Sequence, residues 1–189
     1  MSKPVATRHA LRNIRAFRGA LLRWFNANGA DHPWRQTSDP YAILVSEVML
    51  QQTTVRVVIQ NRRFERFLEE FPDLNTLARA PENKLLRAWE GLGYYNRVRN
   101  LQKTARVILE KHNGEFPPEP RALESLPGIG RYTAGAVASF AFDYPAPIVE
   151  ANITRLLSRL FDWWKPVATP ENQNQLWSWA ETLLPSRDA

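Results

Sequence analysis

Apolar residues recur at helical spacing along nearly the whole chain, and the strict alternation of apolar and polar residues that is typical of strands is absent. This pattern predicts an all-α protein. Its first helix carries an apolar stripe and ends before Gly29, a suitable residue for a helix C-terminus. The predicted helices span about residues 8–28, 40–50, 55–71, 75–80, 82–92, 96–112, 120–126, 132–142, 152–161 and 171–184.

Composition narrows the function classes. The 189 residues include 25 Lys plus Arg against 19 Asp plus Glu, a net charge of +6 that favours a polyanionic partner but also fits a solvated basic surface. The absence of cysteine excludes disulfides, zinc–cysteine sites and iron–sulfur clusters held by this chain. No signal peptide or long apolar run is evident, so we expect a soluble, intracellular protein without a membrane span. Six tryptophans are expected mainly to pack in the core or within a lobe: Trp24, Trp89, Trp163, Trp164, Trp177 and Trp179.

A glycine-hinged turn opens a helix rich in small residues. Gly128 and Gly130 flank the apolar Ile129 in the segment Leu126–Gly135. Glycines allow backbone dihedrals closed to other residues, and the N–H groups at the start of a helix bind phosphate without lysine. Arg131 can add positive charge. An ordinary connection between two helices remains the alternative, which Gly-x-Gly alone does not exclude.

Two carboxylates have unusual settings. Glu47 lies in a strongly apolar helix, where desolvation would raise its pKa and suit it to donate a proton at neutral pH. Glu150 comes twenty residues after Gly130 and could place a negative charge beside a sugar that becomes a cation. The alternatives are a salt-bridged structural Glu47, and a Glu150 that stabilises the start of the helix beginning near Asn152. Together with the glycine turn, the two acids suggest an enzyme that removes a base from DNA.

Four sequence segments are Ser46–Thr53, Gly91–Tyr95, Leu126–Gly135 and Ile148–Asn152. In this order along the chain, they resemble motifs of the helix-hairpin-helix DNA glycosylase superfamily and, within it, of the MutY-type adenine DNA glycosylases. The resemblance implies a two-lobed all-α fold. Its central six-helix domain would span residues 30–142 and contain the hairpin. A second helical lobe would combine residues 1–29 with 143–189 and be incomplete at its C-terminus.

The resemblance also implies roles for individual residues. Glu47 would protonate the adenine. Glu150 stands where the family usually has aspartate, one methylene shorter, and would stabilise the sugar cation with Asn152 in support. Tyr132 replaces the lysine of glycosylases that also cut the backbone, which implies a monofunctional enzyme. The implied DNA contacts are Gln51, Gln52, Leu92, Tyr94, Gly128, Gly130 and Arg131, and the implied base pocket contains Trp34 and Arg35.

The predicted function is therefore base excision repair: hydrolysis of the N-glycosidic bond of adenine mispaired with 8-oxoguanine or guanine. A thymine or uracil mismatch glycosylase, and a DNA-binding module without catalysis, are the alternatives. The expected partner is double-stranded DNA with mismatched or oxidised pairs, bound by a monomer in the cytoplasm or nucleoid.

The three histidines lack metal-ligand spacing, so no metal site is predicted. The family's iron–sulfur loop and 8-oxoguanine-recognition domain have no counterpart in residues 1–189. A monovalent cation on the hairpin carbonyls is a further expectation from the resemblance.

Overall fold

A computed structural model describes residues 13–185, and every regular element within that range is helical. The all-α prediction is confirmed. The elements in chain order are α1 (Ile14–Asn28), a 3-10 turn (Pro33–Arg35), α2 (Pro40–Leu50), α3 (Val55–Gln60), α4 (Arg63–Glu70), α5 (Leu74–Arg79), α6 (Glu82–Ala88), α7 (Asn96–Lys111), α8 (Pro120–Glu124), α9 (Arg131–Phe142), α10 (Ala151–Leu160) and α11 (Pro170–Leu183). The chain divides into two compact units: Asp31–Tyr144, and Met1–Ala30 with Pro145–Ala189.

Within the described residues, two predicted helices differ from the structure by more than two residues. The stretch predicted as one helix over residues 55–71 is two helices, because Arg62 adopts a left-handed conformation with φ of 48° between α3 and α4. The helix predicted to end at Leu92 ends at Ala88, since Gly91 and Gly93 also have positive φ angles, 83° and 69°. For the first helix, the predicted residues before position 13 lie outside the described part of the chain.

Helix α2 forms the centre of the unit Asp31–Tyr144. It is apolar on all sides and buries every residue from Tyr41 to Met49, which a helix does only inside a core. The Asp39 carboxylate accepts hydrogen bonds from the backbone N–H groups of Tyr41 and Ala42 and so caps its start. Helices α4, α7 and α9 pack around α2, and α8 packs on α9. This arrangement fixes both α2 and the hairpin before α9.

In the other unit, α10 and α11 share a small core of Leu157, Phe161, Leu176 and Trp179. The rings of Phe161 and Trp179 stack with centroids 4.4 Å apart. Arg18 of α1 donates hydrogen bonds to the carbonyls of Thr182 and Leu183 at the end of α11, at 3.0 and 2.9 Å.

The apolar stripe predicted for the first helix is not buried in this structure. Within the described residues α1 buries no side chain, and Trp24 is exposed. Trp164 is 88% exposed, so the expectation that both tryptophans pack in the core is wrong. Helical spacing identifies an apolar face, but it does not show whether another element covers that face. None of the helices in residues 13–185 is long and apolar enough to cross a membrane.

Candidate active site

Glu47 is a buried carboxyl group on the central helix α2. It stands in a helix whose other buried residues are almost all apolar, and it is 5% exposed. Burial raises the pKa of Glu47, while the charge of Arg35 and a hydrogen bond from the Tyr132 side chain act in the opposite direction. Desolvation prevails over both. The result is a carboxyl group that keeps its proton to higher pH than an exposed glutamate, with a phenol and a guanidinium beside it.

The packing of α2 against α9 explains why these three side chains are neighbours. Tyr132 lies in the first turn of α9, directly after the hairpin. Arg35 ends the 3-10 turn that precedes α2, and its guanidinium carbon lies 4.1 Å from the centroid of the Phe140 ring on α9. The neighbouring Trp34 points elsewhere: it is 3% exposed and packs edge-on against Phe64, with ring centroids 5.7 Å apart. Trp34 therefore supports this region from the core rather than lining an open pocket.

Two loops follow α2 and α6. After α2, Gln52 is exposed and has a φ of 55°, while the Gln51 amide donates to the Thr133 hydroxyl on α9 at 3.4 Å. After α6, Tyr94 is 64% exposed with a φ of 45°. Leu92, predicted as a DNA contact, is instead buried at 5% exposure. Positive φ angles cost free energy at residues other than glycine, so surrounding contacts must hold Gln52 and Tyr94 in place.

The hairpin between α8 and α9 uses its two glycines differently. Gly128 has a φ of 75°, in the left-handed region. Gly130 has a φ of −94° and forms the N-cap of α9. Ile129 between them is buried and anchors the turn, whereas Gly128, Gly130 and Arg131 are exposed. The arrangement leaves an accessible helix start with a basic residue in its first position, a geometry that suits an anion.

Glu150 forms the N-cap of α10. Its Oε1 accepts hydrogen bonds from the backbone N–H groups of Asn152 and Ile153, at 2.8 and 3.0 Å. The Asn152 side chain is exposed, and its Oδ1 accepts from Arg155 at 2.5 Å. The alternative left open by the sequence, an acid that stabilises a helix start, is therefore present in the structure. Both of these hydrogen bonds use the same carboxylate oxygen, Oε1.

Residues 45–182 match the model of a family described as HhH-GPD superfamily base excision DNA repair protein. The match covers more than half of the chain. The chain belongs to this superfamily. It is 38% identical to the adenine DNA glycosylase of Buchnera aphidicola subsp. Schizaphis graminum (strain Sg), over 91% of this chain and 49% of that protein.

Two solved structures are similar to this superfamily member. A thermostable thymine-DNA glycosylase has a TM-score of 0.81 and 31% identity, over 92% of this chain and 79% of that chain. A non-covalent endonuclease III–DNA complex has a TM-score of 0.67 and 27% identity, over 90% of this chain and 83% of that chain. The chain spans about half or less of the length of the curated adenine DNA glycosylases that it matches first.

An iron–sulfur cluster, which the resemblance implies, does not fit the residues of this superfamily member. The sequence has no cysteine, so it cannot supply the thiolate ligands of such a cluster. Within residues 13–185, no group of three or more His, Cys, Asp or Glu side chains could hold a metal ion.

Three basic residues of α7, Arg97, Arg99 and Arg106, have acceptors within the protein. Arg97 donates to backbone carbonyls of the two loops, and Arg106 donates to the carbonyl of Ala78 at 2.9 Å. Arg99 pairs with Glu82 at 2.7 Å. No sequence pattern distinguishes an arginine that binds carbonyls from one that binds phosphate, because both ligands are oxygen acceptors.

Proposed function

We propose that this chain is a monofunctional DNA glycosylase that hydrolyses the N-glycosidic bond of adenine mispaired with 8-oxoguanine or guanine. The observation that carries the proposal is Glu47, a buried carboxyl group with a raised pKa beside Tyr132 and Arg35. Adenine leaves poorly as an anion, and its ring nitrogens are basic. A carboxyl group whose burial raises its pKa above that of an exposed glutamate is therefore suited to this leaving group. The 38% identity to an adenine DNA glycosylase supports the same substrate.

In the proposed reaction the Glu47 carboxyl group donates its proton to an adenine ring nitrogen. The glycosidic C–N bond then breaks, and its electron pair leaves with the neutral base. The deoxyribose becomes cationic, and water adds at C1′ and loses a proton, which leaves an abasic site. We assign to Glu150 the role of counter-ion for the sugar and to Asn152 that of supporting it. Tyr132 has no amine to form a Schiff base, which supports base release without backbone cleavage.

The proposed DNA contacts follow from exposure. Gly128, Gly130 and Arg131 are accessible at the start of α9 and are assigned to phosphate. Gln51, Gln52 and Tyr94 are assigned to the gap left by the extruded base, where an aromatic ring recovers part of the cost of unstacking. Arg35 is assigned to the base pocket. Leu92 and Trp34 are buried, and we assign them to supporting these groups from beneath.

The remaining assignments belong to the same proposal. Asp31–Tyr144 corresponds to the central domain implied by the resemblance, and the other unit corresponds to its second lobe. The protein is proposed to act as a monomer of 21.8 kDa on genomic DNA inside the cell, at the nucleoid. A monovalent cation on the hairpin carbonyls is also proposed. The carbonyl of Pro127 already accepts from Thr104 at 2.7 Å, so a bound cation would have to share that oxygen or use its neighbours.

A thymine or uracil mismatch glycosylase is the second candidate. The thymine-DNA glycosylase structure, at 31% identity and with a TM-score of 0.81, favours it. The two candidates differ in the base released. A thymine glycosylase does not require a protonated carboxyl group for a basic leaving group, so the setting of Glu47 supports adenine.

The test is base release from duplexes that carry adenine opposite 8-oxoguanine, thymine opposite guanine or uracil opposite guanine, with abasic sites cleaved by alkali. Adenine release supports the proposal, and thymine or uracil release supports the second candidate. Binding without release of any base supports a non-catalytic module. Glu47→Gln should lower adenine excision by at least about 100-fold while it retains DNA binding. Glu110→Gln, on an exposed part of α7, is the matched control and should excise like the parent.

A further inference from the structure

Arg97, near the start of α7, binds two separate loops with one guanidinium group. Its Nη1 donates to the end of α2 and the loop after it, and its Nη2 reaches mainly the loop after α6. The acceptors of Nη1 are the carbonyls of Val48 at 2.9 Å, Met49 at 3.0 Å and Gln51. The acceptors of Nη2 are the carbonyls of Leu92 at 2.7 Å and Gly93 at 3.2 Å, and the Thr53 hydroxyl at 3.2 Å.

The same guanidinium group also lies close to two aromatic rings. Its central carbon is 5.5 Å from the centroid of Trp89 and 5.7 Å from that of Tyr94. A guanidinium group is planar and has five N–H donors, so it can form hydrogen bonds in two directions and stack on an aromatic ring at the same time. A lysine ammonium group cannot do both. Tyr94, which is exposed and has a positive φ like Gln52, therefore lies close to the arginine. Gln52 lies between two residues whose oxygens accept from Arg97.

The adjacent turns of α7 support the hairpin. The Thr104 hydroxyl donates to the carbonyl of Pro127 at 2.7 Å. A Cβ added to Gly128 would lie 2.7 Å from the Cβ of Asn100, so this part of the hairpin rests directly on α7. Positions 97, 100 and 104 share one face of a helix because they are separated by three and four residues. One strip of α7 thus contacts all three segments that the proposed function assigns to DNA.

We propose that Arg97 is a positioning residue that holds the loop after α2 and the loop after α6 in a fixed register, so that Gln52 and Tyr94 enter the duplex together. This inference rests on the proposed function, since it concerns the same DNA-binding surface. Arg97 contacts neither base nor phosphate in this role. Its effect passes through the backbone carbonyls of both loops. Without the Arg97 guanidinium group, each of the two loops can relax independently from its positive-φ conformation.

The test compares Arg97→Met with Arg106→Met. Methionine keeps an unbranched apolar side chain but removes all donors. Arg106 is the matched control because it lies on the same helix, carries the same charge and donates to a single carbonyl, that of Ala78 at 2.9 Å. The probe is a duplex with 2-aminopurine at the target position, whose fluorescence rises when the base leaves the stack. Saturating protein removes differences in affinity, and single-turnover excision and thermal unfolding are measured in parallel.

Arg97→Met should reduce the fluorescence rise and slow excision by about 10- to 100-fold at saturation, the order expected when a group near the reaction is misplaced by about 1 Å. Arg106→Met should remain within about twofold of the parent, as expected for a residue away from the site. Both variants should keep the pH at which excision declines, because neither contacts Glu47. A merely structural loss would lower the melting temperature without a selective loss of base unstacking.

Arg97→Lys keeps the charge and provides a second test should Arg97→Met fail to fold. Its ammonium can reach one loop but not both, so its excision rate should lie between those of Arg97→Met and the parent. Parent-like unstacking in Arg97→Met, equal losses in both Met variants, or an Arg97→Lys protein identical to the parent would each overturn the inference. A parent that neither unstacks nor excises any target base would instead remove the proposed function, and this inference with it.

Discussion

The two hairpin glycines provide a matched pair for testing the local geometry. At Gly128 the φ of 75° is closed to most residues, and an added Cβ would lie 2.7 Å from the Cβ of Asn100 and 2.8 Å from its Nδ2. The nearest atom is the first carbon of a side chain and cannot swing away. At Gly130 the φ is −94°, and no heavy atom lies within 4 Å of the added carbon. Gly128→Ala and Gly130→Ala therefore make the same chemical change in opposite surroundings.

The expected changes in the free energy of unfolding differ between the two variants by several kcal/mol. A left-handed conformation costs an alanine about 1–2 kcal/mol, and overpacking typically adds about 1–3 kcal/mol. Gly128→Ala should therefore lower the free energy of unfolding by about 2–5 kcal/mol. For a chain of this length that corresponds to a drop of about 4–20 °C in melting temperature. Gly130→Ala gains about 0.4–1 kcal/mol by restricting the unfolded chain, but alanine is a poorer N-cap than glycine. The net change should stay within about 1 kcal/mol.

The assay is urea unfolding followed by far-ultraviolet circular dichroism, with melting temperatures measured on the same samples. DNA affinity should also fall more in Gly128→Ala than in Gly130→Ala if α9 shifts away from α7. The reasoning would be refuted by a Gly128→Ala protein within about 1 kcal/mol of the parent, or by a Gly130→Ala protein that loses as much stability as Gly128→Ala.

Two further predictions concern the buried carboxyl group. Tyr132→Phe removes a hydrogen bond that lowers the pKa of Glu47, so the decline of excision at alkaline pH should move to higher pH in a single-turnover profile; a shift to lower pH would contradict this. Glu47→Gln should stabilise the fold at neutral pH, because the stability contribution of Glu47 is full below its unfolded pKa of about 4.5 and falls as pH rises toward the higher folded value. Urea unfolding of Glu47→Gln and the parent at acidic and neutral pH should show a difference in the free energy of unfolding that widens as pH rises. A difference that stays constant with pH would disprove the linkage.

The sequence alone predicted most helices, because they depend on local patterns. The spacing of apolar residues identified α2 as a core helix, and one glutamate within it was recognisable because carboxylates are rarely buried. The break at Arg62 was not predictable in this way. Its left-handed conformation is adopted by a residue with no preference for it, so tertiary packing overrides the local signal.

The burial of side chains was harder to predict than the helices that carry them. Leu92 and Tyr94 are two residues apart in the same sequence segment, yet Leu92 is buried and Tyr94 is 64% exposed. Their loop includes glycines with positive φ on either side of Leu92, so neither helical nor strand periodicity assigns its faces. Trp24 and Trp164 show the converse error, since large apolar residues were expected in the core and lie at the surface of the described structure.

The basic face of α7 shows why charge is a weak guide to where a protein contacts DNA. The sequence does not decide whether Arg97 and Arg106 face phosphate or water, and in the structure both donate to backbone carbonyls. A carbonyl at the end of a helix or in a tight loop carries partial negative charge and needs a donor when water is excluded. Loops with unusual backbone angles expose such carbonyls. Part of the net positive charge of this chain therefore binds the protein's own backbone.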